Sequence, residues 1–202
     1  MKWLYRHWQQ IGLVISALLM LTLAITYANI DGFRVLLIVS LITLLLHQFE
    51  EYQFPGGFPR MVNRVMFGSK NTENYPLNPR TAFIINVVIG WGSYTLAIIF
   101  GASAVWLATA TIMVSIGNVL AHTLLFNIKG RTWYNPGMLT ALVLFLPISI
   151  YYFVYISTHD MLRLGSLATG VLLGIALNYF GVFRMITLCA KPSTRHIFKQ
   201  LR

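Results

Sequence analysis

At 57% hydrophobic and 10% charged, a chain of 202 residues is too apolar for a soluble domain. Its one cysteine, Cys189, excludes an internal disulfide framework and a four-cysteine metal site, and reads as an inert thiol near the end of the last helix. The formal charge of +10 would suit nucleic acid as a partner, but the basic residues are sorted along the chain in a way that excludes it.

Apolar windows of about 20 residues recur, the length that crosses a bilayer core of roughly 30 Å. They predict an all-α, polytopic membrane helix bundle, a single transmembrane domain over residues 1–202. Its spans are about six in number, near 10–29, 34–53, 81–100, 103–127, 138–157 and 162–182. Between and beyond them the Lys and Arg residues alternate in density. Lys2 and Arg6 precede the first span, and Arg60, Arg64, Lys70 and Arg80 lie between the second and third. Lys129 and Arg131 separate the fourth and fifth, and Arg184, Lys191, Arg195, Lys199 and Arg202 follow the sixth. Only Arg34 and Arg163 fall on the opposite side. This is the positive-inside pattern of a multi-pass protein of the cell membrane, with both termini in the cytoplasm and a basic face toward anionic lipid headgroups.

The first span opens with two basic residues and ends at Thr26-Tyr27-Ala28, which gives it the look of a secretory signal. Its apolar run, Ile11 to Ala28, exceeds an ordinary signal core, so an uncleaved helix anchored at the interface by Trp3, Tyr5 and Trp8 is expected. The second span ends in Leu46-His47-Gln48-Phe49-Glu50-Glu51-Tyr52. At about 100° per residue, the two carboxylates flank the imidazole on one helix face. A histidine with two acids is costly in lipid and suited to holding a metal ion or moving a proton.

The segment 54–80 carries Pro55, Gly56, Gly57, Pro59, Pro76 and Pro79, which exclude one continuous helix. Its middle, Arg60 to Phe67, has the pattern of a short surface helix, and the segment is placed either as a lid over the preceding acids or as an ordinary connection. Later spans carry Asn86, the pair Asn118 and His122 one turn apart, and Asn178. Counted from the flanking basic residues at about 1.5 Å per residue, these groups and His47 fall in one layer near the cytoplasmic side. Four helices that place their awkward polar groups at one depth describe a single pocket.

The short outer turns make consecutive helices antiparallel neighbours. Gly12, Gly90, Gly92, Gly117, Gly170 and Gly174 read as helix-packing residues, and Asn178 as interhelical glue. His7, His159 and His196 read as solvated surface residues.

His47-Gln48-Phe49-Glu50-Glu51 followed by Phe54-Pro55-Gly56-Gly57-Phe58 resembles the signature of the HXXEE family of small bacterial and archaeal membrane proteins. Asn118-Val119-Leu120-Ala121-His122 and Tyr134-Asn135-Pro136-Gly137 resemble that family's second half, so the resemblance runs from about 35 to 145. It implies a multi-helix membrane protein with a polar active site and supplies no reaction.

The residues themselves favour a metal-dependent membrane enzyme of hydrolase type. His47, Glu51 and His122 would bind a divalent metal (zinc, iron or manganese), and two His with one carboxylate leave a position open for water or substrate. Glu50 or Glu51 would serve as general acid or base, and Asn86 and Asn118 would orient a lipid or membrane-anchored substrate or stabilise an oxyanion. One alternative is a proton- or metal-coupled transporter. Another is a metal-free enzyme similar to the intramembrane glutamate proteases that process prenyl-proteins; those place an arginine four residues after the second glutamate, where this chain has Pro55. The oligomeric state is not legible.

Overall fold

The computed structural model describes residues 2–190, and helices account for most of them, with no strand among the described residues. We label the helices α1 (Leu4–Thr26), α2 (Gly32–Tyr52), α3 (Phe58–Val65), α4 (79–100), α5 (105–130), α6 (Met138–Thr158) and α7 (Leu164–Cys189). His196, Lys191, Arg195, Lys199 and Arg202 lie outside the described residues.

Five continuous runs are long and apolar enough to cross a membrane. One of them, Pro79–Gly130, has 52 residues and as a straight helix would reach roughly 78 Å. It instead doubles back at Gly101, whose φ of +51 a side chain would resist. Tyr94 on α4 then donates to the Thr111 carbonyl at 2.9 Å on α5, which makes the pair an antiparallel hairpin, so the five runs contain six long apolar helices. Arg34 on α2 steadies the turn by donating from Nε to the Ile98 carbonyl, one of the last acceptors of α4.

The chain order fixes the register of the bundle. Asp31 caps α2 by accepting from the Arg34 amide. Phe33 and Tyr152 meet at one end of the α2–α6 pair and His47 and Thr140 at the other, so these two helices are antiparallel. On α7, Gly170, Gly174 and Asn178 lie against Thr109, Met113 and Gly117 of α5, which places these two helices parallel in a constant register. Gly12 lies against Trp91 and Leu45, and Gly90 against Gln48 and Leu44; both are close-packing glycines, as the sequence leads one to expect. Gly92 is not, since no neighbour lies within 4 Å of a Cβ placed there.

The burial is uneven. α2 is the central helix, with Leu36, Leu37, Leu41, Leu44 and Leu45 in the core, whereas α1 and α7 flank the bundle with largely exposed apolar surfaces. The half remote from Tyr52 is filled by Phe33, Leu36, Leu37, Ile112, Tyr152 and Ile156. The first span differs from expectation at its start. The helix begins at Leu4 and Trp8 is only 1% exposed, packed on Tyr52 and Trp91, so Trp8 is a core residue and not an interface anchor.

One feature recurs in four helices. α4, α5, α6 and α7 each widen into a π-helical stretch: Ile84–Trp91, Ala121–Leu125, Ala141–Phe145 and Leu177–Arg184. A π turn adds a residue to the helix and re-aims the side chains on it. These stretches hold Asn86, His122 and Asn178, and the one in α6 begins immediately after Thr140. In α6 it precedes Pro147, which has no amide to return to the preceding turn.

Candidate metal centre

His47 and Glu51 are one turn apart on α2 and point to the same side, with His47 Nε2 3.6 Å from Glu51 Oε1. The π turn of α5 brings His122 Nε2 to 3.2 Å from the same oxygen. All three side chains are buried, at 1%, 4% and 0% exposure for His47, Glu51 and His122. Each offers one ligand atom, and these atoms lie within 4.8 Å of one another.

The hydrogen bonds behind the rings fix which nitrogen carries the proton. Asn135 donates from Nδ2 to the His122 backbone carbonyl at 2.7 Å and to Asn127 Oδ1 at 2.8 Å. A backbone carbonyl only accepts, so the Asn135 amide cannot be turned over, and its Oδ1 faces His122 Nδ1 at 2.6 Å as an acceptor. His122 therefore holds its proton on Nδ1. On the other ring, Thr140 donates its single hydroxyl proton to Glu50 Oε2 at 2.5 Å. The same hydroxyl, 2.9 Å from His47 Nδ1, must accept from it. Both imidazoles thus present a bare Nε2 lone pair to Glu51, and both Nε2 atoms are buried without a hydrogen-bond partner.

Three electron-pair donors that face one another in a dry interior repel unless a cation lies between them. A proton on each ring would let both nitrogens donate to Glu51, and a single divalent ion would take all three lone pairs at once. Two ligand atoms each about 2.1 Å from a tetrahedral centre are ~3.4 Å apart. The separations of 3.2 and 3.6 Å bracket that value. The hydrogen bonds from Nδ1 are the outer contacts by which metal-binding histidines are held in place.

Glu50 takes no part in the cluster. Being one residue from Glu51, it turns by about 100° and reaches the start of α6. Its oxygens accept from Tyr134 Oη at 2.9 Å, Leu139 N at 3.2 Å, and Thr140 N and Oγ1 at 2.8 and 2.5 Å. A carboxylate at a helix N-terminus satisfies amides that have no partner within the helix. Tyr134 lies in the loop before α6. Burial and the hydrogen bond to Glu50 push its phenol up to about 12, so it remains a donor at neutral pH. Gly137, φ +99, turns the chain into α6 where any Cβ would strike the His122 ring.

The remaining predicted residues line a cavity of about 100 Å³ that reaches the cluster at His47 and Glu51. Asn86 is fully engaged: it accepts from Gln48 Nε2 at 3.1 Å and donates to Tyr52 Oη and the Ala82 carbonyl. Gln48 in turn accepts from Trp91 Nε1 at 2.7 Å. Asn118 donates to the Val114 carbonyl of its own helix. Asn178 bridges to Met113 O on α5, the interhelical bond expected of it.

The connection 54–80 packs against the site. Phe58, the first residue of α3, stacks on the His122 ring at 5.4 Å and also meets Tyr52 and Phe126. The expected surface helix near 60–67 is α3, and Asn63 folds the following loop around itself through Thr72 O and both the carbonyl and the amide of Leu77. Arg60 pairs with Glu73 on its outer side.

Sequence reasoning did not find Thr140 or single out Asn135. A threonine in an apolar helix carries no signal, whereas an asparagine ahead of Pro136-Gly137, beside an intramembrane histidine's helix, is a residue that had one. Neither a curated protein nor a solved structure matches the chain. The family model described as "Protein of unknown function with HXXEE motif" matches residues 38–152, more than half of the chain, which are the residues from the middle of α2 to the middle of α6 that build the cluster. The chain belongs to the HXXEE-motif family, and His47, Glu50 and Glu51 are the motif's three named residues.

Proposed function

We propose that the protein is a metal-dependent enzyme embedded in the cell membrane, hydrolase-like, that acts on a lipid or a membrane-anchored substrate near the cytoplasmic face. The observation that carries this reading is the convergence of two bare Nε2 atoms and one carboxylate oxygen, all buried. His47, Glu51 and His122 are the ligands. Zinc, iron or manganese bound by two His and one carboxylate keeps a position open and lowers the pKa of water held there. Glu50 is then a positioning residue, because four hydrogen bonds occupy it. Asn118 and Asn86 belong to the substrate cavity. Transport is the weaker reading, because the half of the bundle remote from the site is filled by Phe33, Leu37, Ile112 and Tyr152. Among the described residues Thr43 and Thr111 bond to their own helices and Thr109 to its own helix and to Tyr152, and the two buried hydroxyls left without a partner, Ser40 and Ser149, are too few for a continuous polar path.

Purified protein in nanodiscs, incubated with a polar-lipid extract, should yield a product by mass spectrometry that requires zinc, iron or manganese. Glu51→Gln should reduce it by at least ~10³-fold, the scale of lost metal catalysis. A product formed equally by Glu51→Gln would contradict the assignment.

A further inference from the structure

The cavity beside the cluster has a direction. On α4 its walls run from Ile85 to Tyr94, about 14 Å along the helix axis, from near the cluster toward the bundle centre. Most of this wall is aliphatic or aromatic. Two amide oxygens interrupt it, one turn from the cluster.

Asn118 lies about 6 Å along α5 from His122. Its Nδ2 donates to the Val114 carbonyl, which turns Oδ1 the other way. Asn178, on the parallel helix α7, is held by two backbone carbonyls, Met113 O at 3.0 Å and Gly174 O at 2.9 Å. Both Nδ2 protons are thereby used, and Oδ1 lies over Gly117, where a side chain of any size would collide with it. Among the described residues neither Oδ1 accepts a hydrogen bond. Gln48 and Asn86, the other amides of the wall, are bonded to each other and to Trp91, Tyr52 and Ala82. The cavity therefore offers acceptors, not donors, at one depth.

From this we infer that the ligand of this cavity is an amphiphile that carries a hydrogen-bond donor, a hydroxyl or an amide N–H, about one helical turn from its reacting group. The donor meets Asn118 Oδ1 and Asn178 Oδ1, and a single apolar chain continues past Val114 toward Tyr94. The placement of the reacting group at His47 and Glu51 rests on the metal reading above. The preference for a donor does not.

The test uses two amphiphiles that differ in one atom: N-dodecanoyl-β-alanine and the ester in which its N–H is replaced by oxygen. Both are titrated, radiolabelled, against the full chain in nanodiscs. One buried hydrogen bond predicts about tenfold tighter binding of the amide. The preference should vanish in Asn118→Leu, whose side chain makes no bond to another helix, and weaken in Asn178→Ala. Equal binding of the two probes, or a preference untouched by both substitutions, would overturn the inference. Metal content of the same wild-type preparation separates the two proposals. A preference shown by folded wild-type protein that holds no metal upholds the donor site and removes the metal; metal binding without a preference does the reverse.

Discussion

Asn135 and Thr140 decide the chemistry of two imidazoles without touching a ligand position. Each receives the Nδ1 proton of one ring and leaves its Nε2 free. Thr140→Val should weaken metal binding by roughly 10–100-fold, the usual effect of an outer contact, while the protein stays folded. Glu50→Gln should behave differently. It replaces an acceptor with an amide N–H facing the Leu139 and Thr140 amides, and should cost about 1.5–3 kcal/mol of stability. Thermal unfolding beside metal titration distinguishes the two variants. The spacing of His47 and Glu51 was legible, since residues four apart share a helix face. Which acid faced the cluster was not, because the answer depends on the start of α6, ninety residues on in sequence, where Thr140 and Leu139 meet Glu50.

The helices were legible from hydropathy, and Gly101 marked the fold of the longest apolar run. Their π turns were not. Ile84–Trp91 and Ala121–Leu125 read as ordinary helix, because the residue that a π turn adds leaves no mark in the hydropathy. Trp8 was misplaced for a related reason: an aromatic residue near a span's start suits the interface equally well until α2 and α4 supply Tyr52 and Trp91. The α5–α7 contact allows a direct test. Gly117→Ala should cost about 1–3 kcal/mol by overpacking, because its methyl meets the Asn178 amide. In an Asn178→Ala background most of that cost should disappear, and a double-mutant cycle on thermal stability checks this. Additive losses would mean that the two residues do not touch.

For the whole molecule, the sorting of basic residues predicts that the chain ends and the 54–80 connection face the cytoplasm. In a Cys189→Ser background, Ser69→Cys should resist an impermeant maleimide in intact cells and His159→Cys should react. The opposite labelling would invert the topology. The family match runs from within α2 to within α6, with α1 and α7 outside it, so the cluster and its supporting loop lie within the matched part of the chain. On the proposed function, one metal ion joins α2 to α5 through His47, Glu51 and His122. Elemental mass spectrometry of detergent-purified, chelator-free protein tests it most directly. Close to one zinc, iron or manganese per chain is expected, lost in His47→Ala and in His122→Ala alike. Folded wild-type protein without metal, or metal retained in both variants, would contradict it.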